Sequence, residues 1–477
     1  MKITEIFNVE SELDFKGIMT YSKNKIADAI YFCLSGLKYD GHEFIDEAIS
    51  NGAICIVHSL ELAHYQEDIL YLKVTDVLKT LHITIEAYYQ ELNDIKLIGV
   101  TGSYGKSNIT MWLSNVLNTK YKCGYIGQYG VGYNGKVIKD YKFEAVELAE
   151  HLVNMVKSGV EYCVIELSAE NLALEKLDFI KCHRLIFTNL DVNKDNILLH
   201  VSNDKLSIYQ KLLNNMPNDA LAIINIDDET GSRLYQNKSV DVLSYSIENS
   251  SELKADNLVY RREGLLFSFI NDDHRYFVDS DSYGKTNVYH LLAVIAVAHS
   301  LNIEIEVILE NIKKLPTIPG RMEKIGSQQF LVFVDQAFSG ERFDYVLSSL
   351  KEINKNTEDR LIAVFGSAGK RDAKNRKVLG EVADKYCDVI ILTEEDPRNE
   401  LPKTIANNIS EGISDTTYYF IENRSMAIEQ AINIAYNDDI VVILGKGEEA
   451  FMDRGLGKKD SFYPGDAKVA KLMLDRR

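Results

Sequence analysis

The sequence predicts an α/β protein of three domains in series, and three observations carry that expectation. Its 477 residues are enough for about three domains at roughly 150 residues each. Short runs that are apolar throughout alternate with helical patterns, as the strands of a parallel sheet covered on both faces require. One glycine-rich turn, "GVTGSYGKS", stands between such a run and an amphipathic one.

In chain order, the first segment, 1–95, holds the β-like runs "AIYFCLSG", "AICIVHS" and "ILYLKV" and closes on the helical pattern "VLKTLHITIEAYYQELND". The central segment, 96–325, starts at "IKLIGVTGSYGKS" and continues through "CVIEL", "RLIFTNL", "LAIINID" and "DVLSYSI". Pro316 and Pro319, two of only six prolines, mark its end, because proline interrupts regular structure. The third segment, 326–477, repeats the rhythm with "FLVFVD", "RLIAVFG", "DVIILTEED" and "IVVILGKG". The expected architecture is a central parallel-sheet domain carrying a phosphate loop, a compact α/β unit before it and a Rossmann-like C-terminal domain after it.

A formal charge of −18, with 46% apolar and 26% charged residues, describes a globular chain. It excludes nonspecific binding to nucleic acid, whose phosphates need a basic footprint. No apolar run reaches the ~18 residues of a membrane span, so no membrane insertion is expected. The start "MKITEIFNVESELDF" has neither the basic and apolar regions nor the cleavage site of a signal peptide. The cysteines at 33, 55, 123, 163, 182 and 387 lie scattered, mostly in apolar segments such as "YCVIEL". They read as reduced core residues of a cytoplasmic protein, without metal-ligand spacing.

Gly99, Gly102 and Gly105 precede Lys106 and Ser107, and "SNITMWLSNVLN" then has helical spacing. A strand, a glycine turn and a helix N-terminus together aim backbone N–H groups and the positive end of the helix dipole at an anion. Lys106 would add a point charge on the outer phosphates, and the Ser107 hydroxyl would ligate Mg²⁺. The strict GxxxxGK[ST] spacing is not met, because Val100 stands five before Gly105. On this stretch alone, a plain glycine turn with a surface lysine stays open.

The spacing of Gly99, Gly102, Gly105, Lys106 and Ser107 resembles the phosphate loop of the Mur ligases, which use ATP to join an amino acid to a UDP-linked muramoyl peptide. Further segments are similar to the branch that adds the third residue, the MurE-type tripeptide synthetases. In the first segment, Ser22 and Lys23 stand where that branch carries Ser-Arg, and Asp40-Gly41-His42 keeps its Asp-Gly-His turn. "YIGQYG", "AVEL", "FTNL", "INIDDE" and "PGRMEKI" follow in order, and "VFGSAGKRD", "TEEDPRNE" and "GKGEEAF" resemble the VFGxGGxRD, DNPRxE and GKGHE of the third domain.

The resemblance implies Lys106, Glu166 and Asn189 as catalytic residues. It implies Gly102, Ser103, Gly105, Lys106, Ser107, Asn287, Arg321 and Asp335 toward ATP, and Ser107 and Glu166 toward Mg²⁺. Ser22, Lys23, Asp40 and His42 would face the UDP-linked precursor. Asp396, Arg398 and Glu400 would face the incoming amino acid, with Arg398 and Glu400 leaning toward an acceptor that bears a distal carboxylate. Arg321 reads equally as an interdomain salt bridge, and "DPRN" equally as a turn with a solvated arginine.

The departures fall on the chemistry. The family's E-x-S-S-H keeps Glu166 and Ser168 but has Glu170 for its histidine, and Asn193-Lys194 stand at an Asp-His pair. His200 falls near a second family histidine and reads equally as a surface residue. The family lysine that is carbamylated to support a second metal sits in an A-K-x-x-L frame. Here that frame puts Gln210 at the lysine, and Lys211 fits only with a one-residue slip. Phe338 replaces the D-Y-A-H histidine, Glu448 the GKGHE histidine, Tyr141-Lys142-Phe143 a Thr-Thr-Pro loop, and Asn287 and His290 an N-x-x-N pair. Glu170, Asp191 and Asp195 could offer a single Mg²⁺ replacement oxygens. Two readings follow: an ATP-dependent amide ligase of peptidoglycan synthesis, or a nucleotide-binding Mur-like paralogue with altered catalysis that acts through a partner.

Overall fold

The computed structural model describes residues 1–36, 39–139, 144–190, 205–237, 239–271, 274–326, 329–355, 358–371, 373–455 and 462–477. The expected readings at 141–143, 191–195 and His200 lie outside them. The chain forms two compact units, Met1–Ser244 and Tyr245–Arg477.

The first unit opens with four strands, β1 Gly17–Met19, β2 Ala29–Phe32, β3 Ala53–His58 and β4 Leu70–Lys73, paired in that order and all parallel. Alternate side chains of a strand point to opposite faces. Ile30, Phe32 and Val57 therefore pack on one side with Leu81 and Ile85 of the Val77–Tyr88 helix. Tyr31 and Ile56 pack on the other side with Ala48. Because both faces are covered, these strands read as unbroken apolar runs.

The next strands are β5 Lys96–Thr101, β6 Cys123–Gly127, β7 Gly130–Tyr133, β8 Lys136–Ile138, β9 Tyr162–Leu167, β10 Cys182–Phe187 and β11 Leu221–Asn225. Their order is β11-β10-β5-β9-β6-β7-β8, parallel from β11 to β6, with β7 and β8 added antiparallel. β5 thus lies between β9 and β10. In register, Val100 faces Glu166, Thr101 faces Leu167, and Phe187 faces Thr101. Residues at the C-terminal ends of β9 and β10 are therefore delivered to either side of the turn that follows β5, the place where open parallel sheets bind ligands. One apolar core runs from Ile30 and Val57 through Leu81 and Ile85 to Ile126 and Ile165.

β12 Asp241–Ser246 leads into the second unit. There its end pairs with β13 Leu253–Arg261, and β14 Gly264–Asn271 and β15 His274–Ser280 continue as antiparallel hairpins. The last sheet contains β16 Glu323–Ile325, β17 Leu331–Asp335, β18 Leu361–Phe365, β19 Val389–Leu392, β20 Thr417–Phe420 and β21 Ile440–Leu444. Its order is β16-β17-β21-β18-β19-β20, parallel except for β16. Phe333, Ala363 and Val442 pack on one face, and Val334, Val364 and Ile443 on the other.

Candidate functional site

The turn after β5 is shaped by close approach. Gly102 has φ +126, and a Cβ on it would lie 2.1 Å from Thr188 Oγ1 and 2.7 Å from the Asn189 carbonyl oxygen. Ser103 N–H donates to that carbonyl at 2.9 Å. Thr188 Oγ1 donates within reach of the Tyr104 and Thr101 carbonyls, at 2.7 and 3.1 Å. The Asn189 side chain accepts from Tyr104 N–H at 3.0 Å and donates to the Tyr104 carbonyl at 3.3 Å. Asn189, implied as a catalytic residue, thus has its amide on the loop itself.

Gly105 caps the Lys106–Leu117 helix with no side-chain hydrogen bond to the helix end. Lys106 Nζ folds across the loop, donating to the carbonyls of Gly102 at 2.6 Å and Ser103 at 3.4 Å. An ammonium so placed lies over the concavity where the helix dipole and the loop amides favour an anion.

Ser107 is buried, with its Oγ 3.5 Å from Gln128 Oε1. Gln128 N–H donates to Glu166 Oε1 at 3.0 Å. A Cβ at Gly127 would fall 2.1 Å from that same carboxylate oxygen, so only glycine leaves room for it. The two expected Mg²⁺ ligands therefore meet at Gln128, a link that sequence reasoning missed because it depends on β6 lying beside β9. A hydroxyl and a carboxylate are the hard oxygen donors Mg²⁺ takes, so these residues fit one ion beside the loop. Gln210, where the resemblance puts a carbamylated lysine, donates from Nε2 to Asn214 Oδ1 at 3.3 Å, and a glutamine cannot carry a carbamate. Among the described residues, no group of three or more His, Cys, Asp and Glu side chains is placed to hold a metal.

In the N-terminal sheet region, Ser22 is buried and donates to Glu47 Oε2 at 2.5 Å, while Lys23 beside it is exposed. His42 Nδ1 lies 2.5 Å from Asp40 Oδ1, and its Nε2 accepts from Ser59 N–H at 3.1 Å, which sets the Nδ1–H tautomer. Burial pushes the Asp40 carboxyl up, but the His42 backbone and ring hydrogen bonds outweigh it and hold Asp40 below its ordinary value. Asp40 and His42 are thus a joined pair that shapes the turn, and Ser22 is anchored beside it through Glu47.

In the second unit, Asn287 and His290 are buried, joined by a 2.8 Å contact between Asn287 Oδ1 and His290 Nδ1. Burial, reinforced by Arg342, drives the His290 pKa down to about 3, so the ring is neutral. Asp335, 1% exposed, accepts from Met322 N–H at 2.8 Å and Arg342 Nη2 at 3.2 Å. It ties the "PGRME" segment, which holds Arg321, to the C-terminal end of β17. Phe338 is exposed.

At the C-terminal edge of that sheet, Lys446 is 1% exposed and pairs with Asp396 at 2.8 Å and Glu449 at 2.6 Å. Arg398 donates to the Gly369 carbonyl at 2.7 Å and faces Asp453 at 3.4 Å. Glu400 pairs with buried Arg376 at 2.9 Å and accepts from Lys370 N–H at 2.5 Å. Asp396 and Arg398 are therefore both tied to Asp453, Asp396 accepting its N–H at 2.9 Å, while Glu400 braces the 369–370 turn. Burial is the largest influence on Glu395 and pushes its carboxyl up to about 7, although Arg424 and Lys446 pull it down. Lys446 and Glu395 follow the ends of β21 and β19, the strands that flank β18, and that order brings the two side chains within electrostatic reach of each other, a relationship sequence reasoning missed.

An α/β chain with a glycine loop between a strand and a helix N-terminus, a lysine folded over it and a hydroxyl and a carboxylate beside it has the arrangement of a phosphate-loop nucleotide-binding protein. Residues 100–298 match the Mur ligase middle domain, and residues 320–447 the Mur ligase glutamate ligase domain. The chain belongs to the Mur ligase family and has its three-domain architecture. It is 32% identical over 445 residues to UDP-N-acetylmuramoyl-L-alanyl-D-glutamate--2,6-diaminopimelate ligase 1 of Clostridium acetobutylicum, covering 92% of this chain and 91% of that protein. It is 32% identical over 459 residues to UDP-N-acetylmuramyl-tripeptide synthetase of Borreliella afzelii, covering 92% of this chain and 90% of that one. A solved diaminopimelate ligase of this name superposes with a TM-score of 0.75 at 24% identity, over 100% of this chain and 99% of that one. These relatives place the chain on the MurE-type branch of an ATP-dependent ligase family.

Proposed function

We propose that this protein is the ATP-dependent ligase that adds an amino acid to a UDP-N-acetylmuramoyl-peptide-like precursor in peptidoglycan synthesis. The observation that carries this reading is the meeting of Ser107 and Glu166 at Gln128, beside the braced turn of Gly102 to Gly105.

ATP supplies the γ-phosphoryl group that turns a substrate carboxylate into an acyl phosphate open to attack by an amine. Lys106 and the N–H groups of the turn hold phosphate oxygens, and Ser107 and Glu166 hold Mg²⁺ by hard oxygen ligation. Asn189 keeps the turn in its binding shape. Catalysis of this kind is mostly positioning and charge neutralisation, which is what these residues offer. Asn287, Arg321 and Asp335 are the further residues proposed to face the nucleotide.

The work divides along the segments 1–95, 96–325 and 326–477. Ser22, Lys23, Asp40 and His42 of the first take the UDP-linked end. Asp396 and Arg398 of the third take the incoming amino acid, with Glu400 acting through Arg376, and Arg398 favours an acceptor bearing a distal carboxylate. The six buried free thiols support a cytoplasmic enzyme.

The experiment is phosphate release by purified protein with ATP and Mg²⁺ across a panel of UDP-muramoyl peptides and amino acids. Release that needs both a precursor and an amino acid supports the ligase. Gln210 and Glu448, at positions of a lysine and a histidine, favour the other reading, a nucleotide-binding relative without turnover. ATP uptake with no release under any combination would establish that one instead.

A further inference from the structure

We infer that no lysine carbamate forms at the family's position on the Lys205–Asn214 helix: Gln210 occupies that position, and Lys211 is committed to a surface ion-pair cluster. The inference rests on the ligase reading for its meaning and on the Lys205–Asn214 helix for its evidence.

The sequence left two registers open. In the unslipped one, the alanine and leucine positions of the A-K-x-x-L frame fall on Tyr209 and Leu213. These are 1% and 2% exposed, share one helix face and pack in the core, Tyr209 edge-on against Phe187. In the slipped one, those apolar positions fall on Gln210 and Asn214. Asn214 is exposed, and Gln210 Nε2 donates to its Oδ1 at 3.3 Å. Residues four apart share a helix face, so the buried pair settles the register, and the lysine position is Gln210. An amide nitrogen has no basic lone pair to add to CO₂.

Lys211 is the other candidate, and its surroundings disfavour the reaction. A carbamate forms when a neutral amine bonds to the carbon of CO₂ and gives up a proton to solvent, leaving N–COO⁻. Lys211 Nζ lies 2.6 Å from both Glu175 Oε1 and Asp178 Oδ2. Burial lowers its pKa, but hydrogen bonds and attraction from Asp178 and Glu175 outweigh that and keep it above the ordinary lysine value. Carbamylation would replace the cation between two carboxylates with a third anion, and like charges at this range repel. Any metal at this site is therefore held without carbamate oxygens, and the enzyme is indifferent to bicarbonate.

The test is ¹³C NMR of the full-length protein equilibrated with ¹³C-bicarbonate, with phosphate release measured in CO₂-free and bicarbonate-supplemented buffer and ATP uptake followed by calorimetry on the same samples. The expected result is no carbamate resonance that Lys211→Arg removes, equal release in the two buffers, and release within about twofold of wild type for Lys211→Arg, since an exposed ion pair contributes little. A carbamate resonance that Lys211→Arg removes overturns the inference, as does a tenfold or greater loss of release in that variant. A sample that takes up ATP yet shows the resonance sinks this inference alone, whereas one that takes up no ATP sinks the ligase reading instead.

Discussion

Asn189 and Tyr104 hold each other by two hydrogen bonds: the amide oxygen accepts from Tyr104 N–H at 3.0 Å, and the amide nitrogen donates to the Tyr104 carbonyl at 3.3 Å. The end of β10 thus fixes the backbone of the turn after β5 where that turn would otherwise be free to close. A phosphate loop works only if its N–H groups converge before the anion arrives, because ordering them afterwards would cost affinity.

Asn189→Ala removes both bonds. At about 1 kcal/mol each, the loss is about 2 kcal/mol, or roughly 30-fold in ATP affinity by calorimetry. Circular dichroism should stay that of the wild type. Unchanged affinity would show that the turn keeps its shape without the brace.

Gly127→Ala tests the neighbouring contact. Its Cβ would fall 2.1 Å from Glu166 Oε1, so the carboxylate must turn away while the glycine loop stays untouched. Displacing a group that places a metal ligand typically costs 10–100-fold in metal affinity. The Mg²⁺ concentration giving half-maximal phosphate release should rise about tenfold or more. An unaltered Mg²⁺ dependence would separate Glu166 from the metal.

Glu395 gives a pH signature. Its folded pKa of about 7 lies above the ordinary 4.5, chiefly through burial, so between those values the folded protein binds more protons than the unfolded chain. Stability from this group is present at acid pH and falls as pH rises through that window. Glu395→Gln should therefore raise the melting temperature clearly at pH 8 and much less at pH 5. An equal shift at both would show that Glu395 titrates normally.

Arg424 and Asp466 form an ion pair in which both side chains are 0% exposed, with Tyr463 donating to the same carboxylate at 2.5 Å. Asp466→Asn leaves a buried guanidinium without its counter-charge, a change that costs about 3–5 kcal/mol. Urea unfolding should show that loss as a lowered midpoint; a shift of under about 1 kcal/mol would mean that water or Glu395 takes over.

The parallel sheets were legible because strands buried on both faces, such as "CVIEL" and "IVVIL", carry no polar alternation. The β13–β15 hairpins were not, since β13, with Lys254, Asp256, Asn257 and Arg261 along it, is buried on one face only. At the site, the turn and its lysine were readable as local sequence. The roles of Gln128 and Asn189 were not, because they follow from β9 and β10 flanking β5. The choice between Gln210 and Lys211 likewise needed the burial of Tyr209 and Leu213, which a slipped frame of similar letters conceals.

Calorimetric titration of ATP into the wild-type protein and into Lys106→Ala tests the central claim most directly, that the turn from Gly102 to Ser107 captures a nucleotide's phosphates. Saturable ATP uptake by the wild type, weakened at least tenfold in the variant, is the predicted result. No uptake by the wild type, or equal uptake by both, would contradict it.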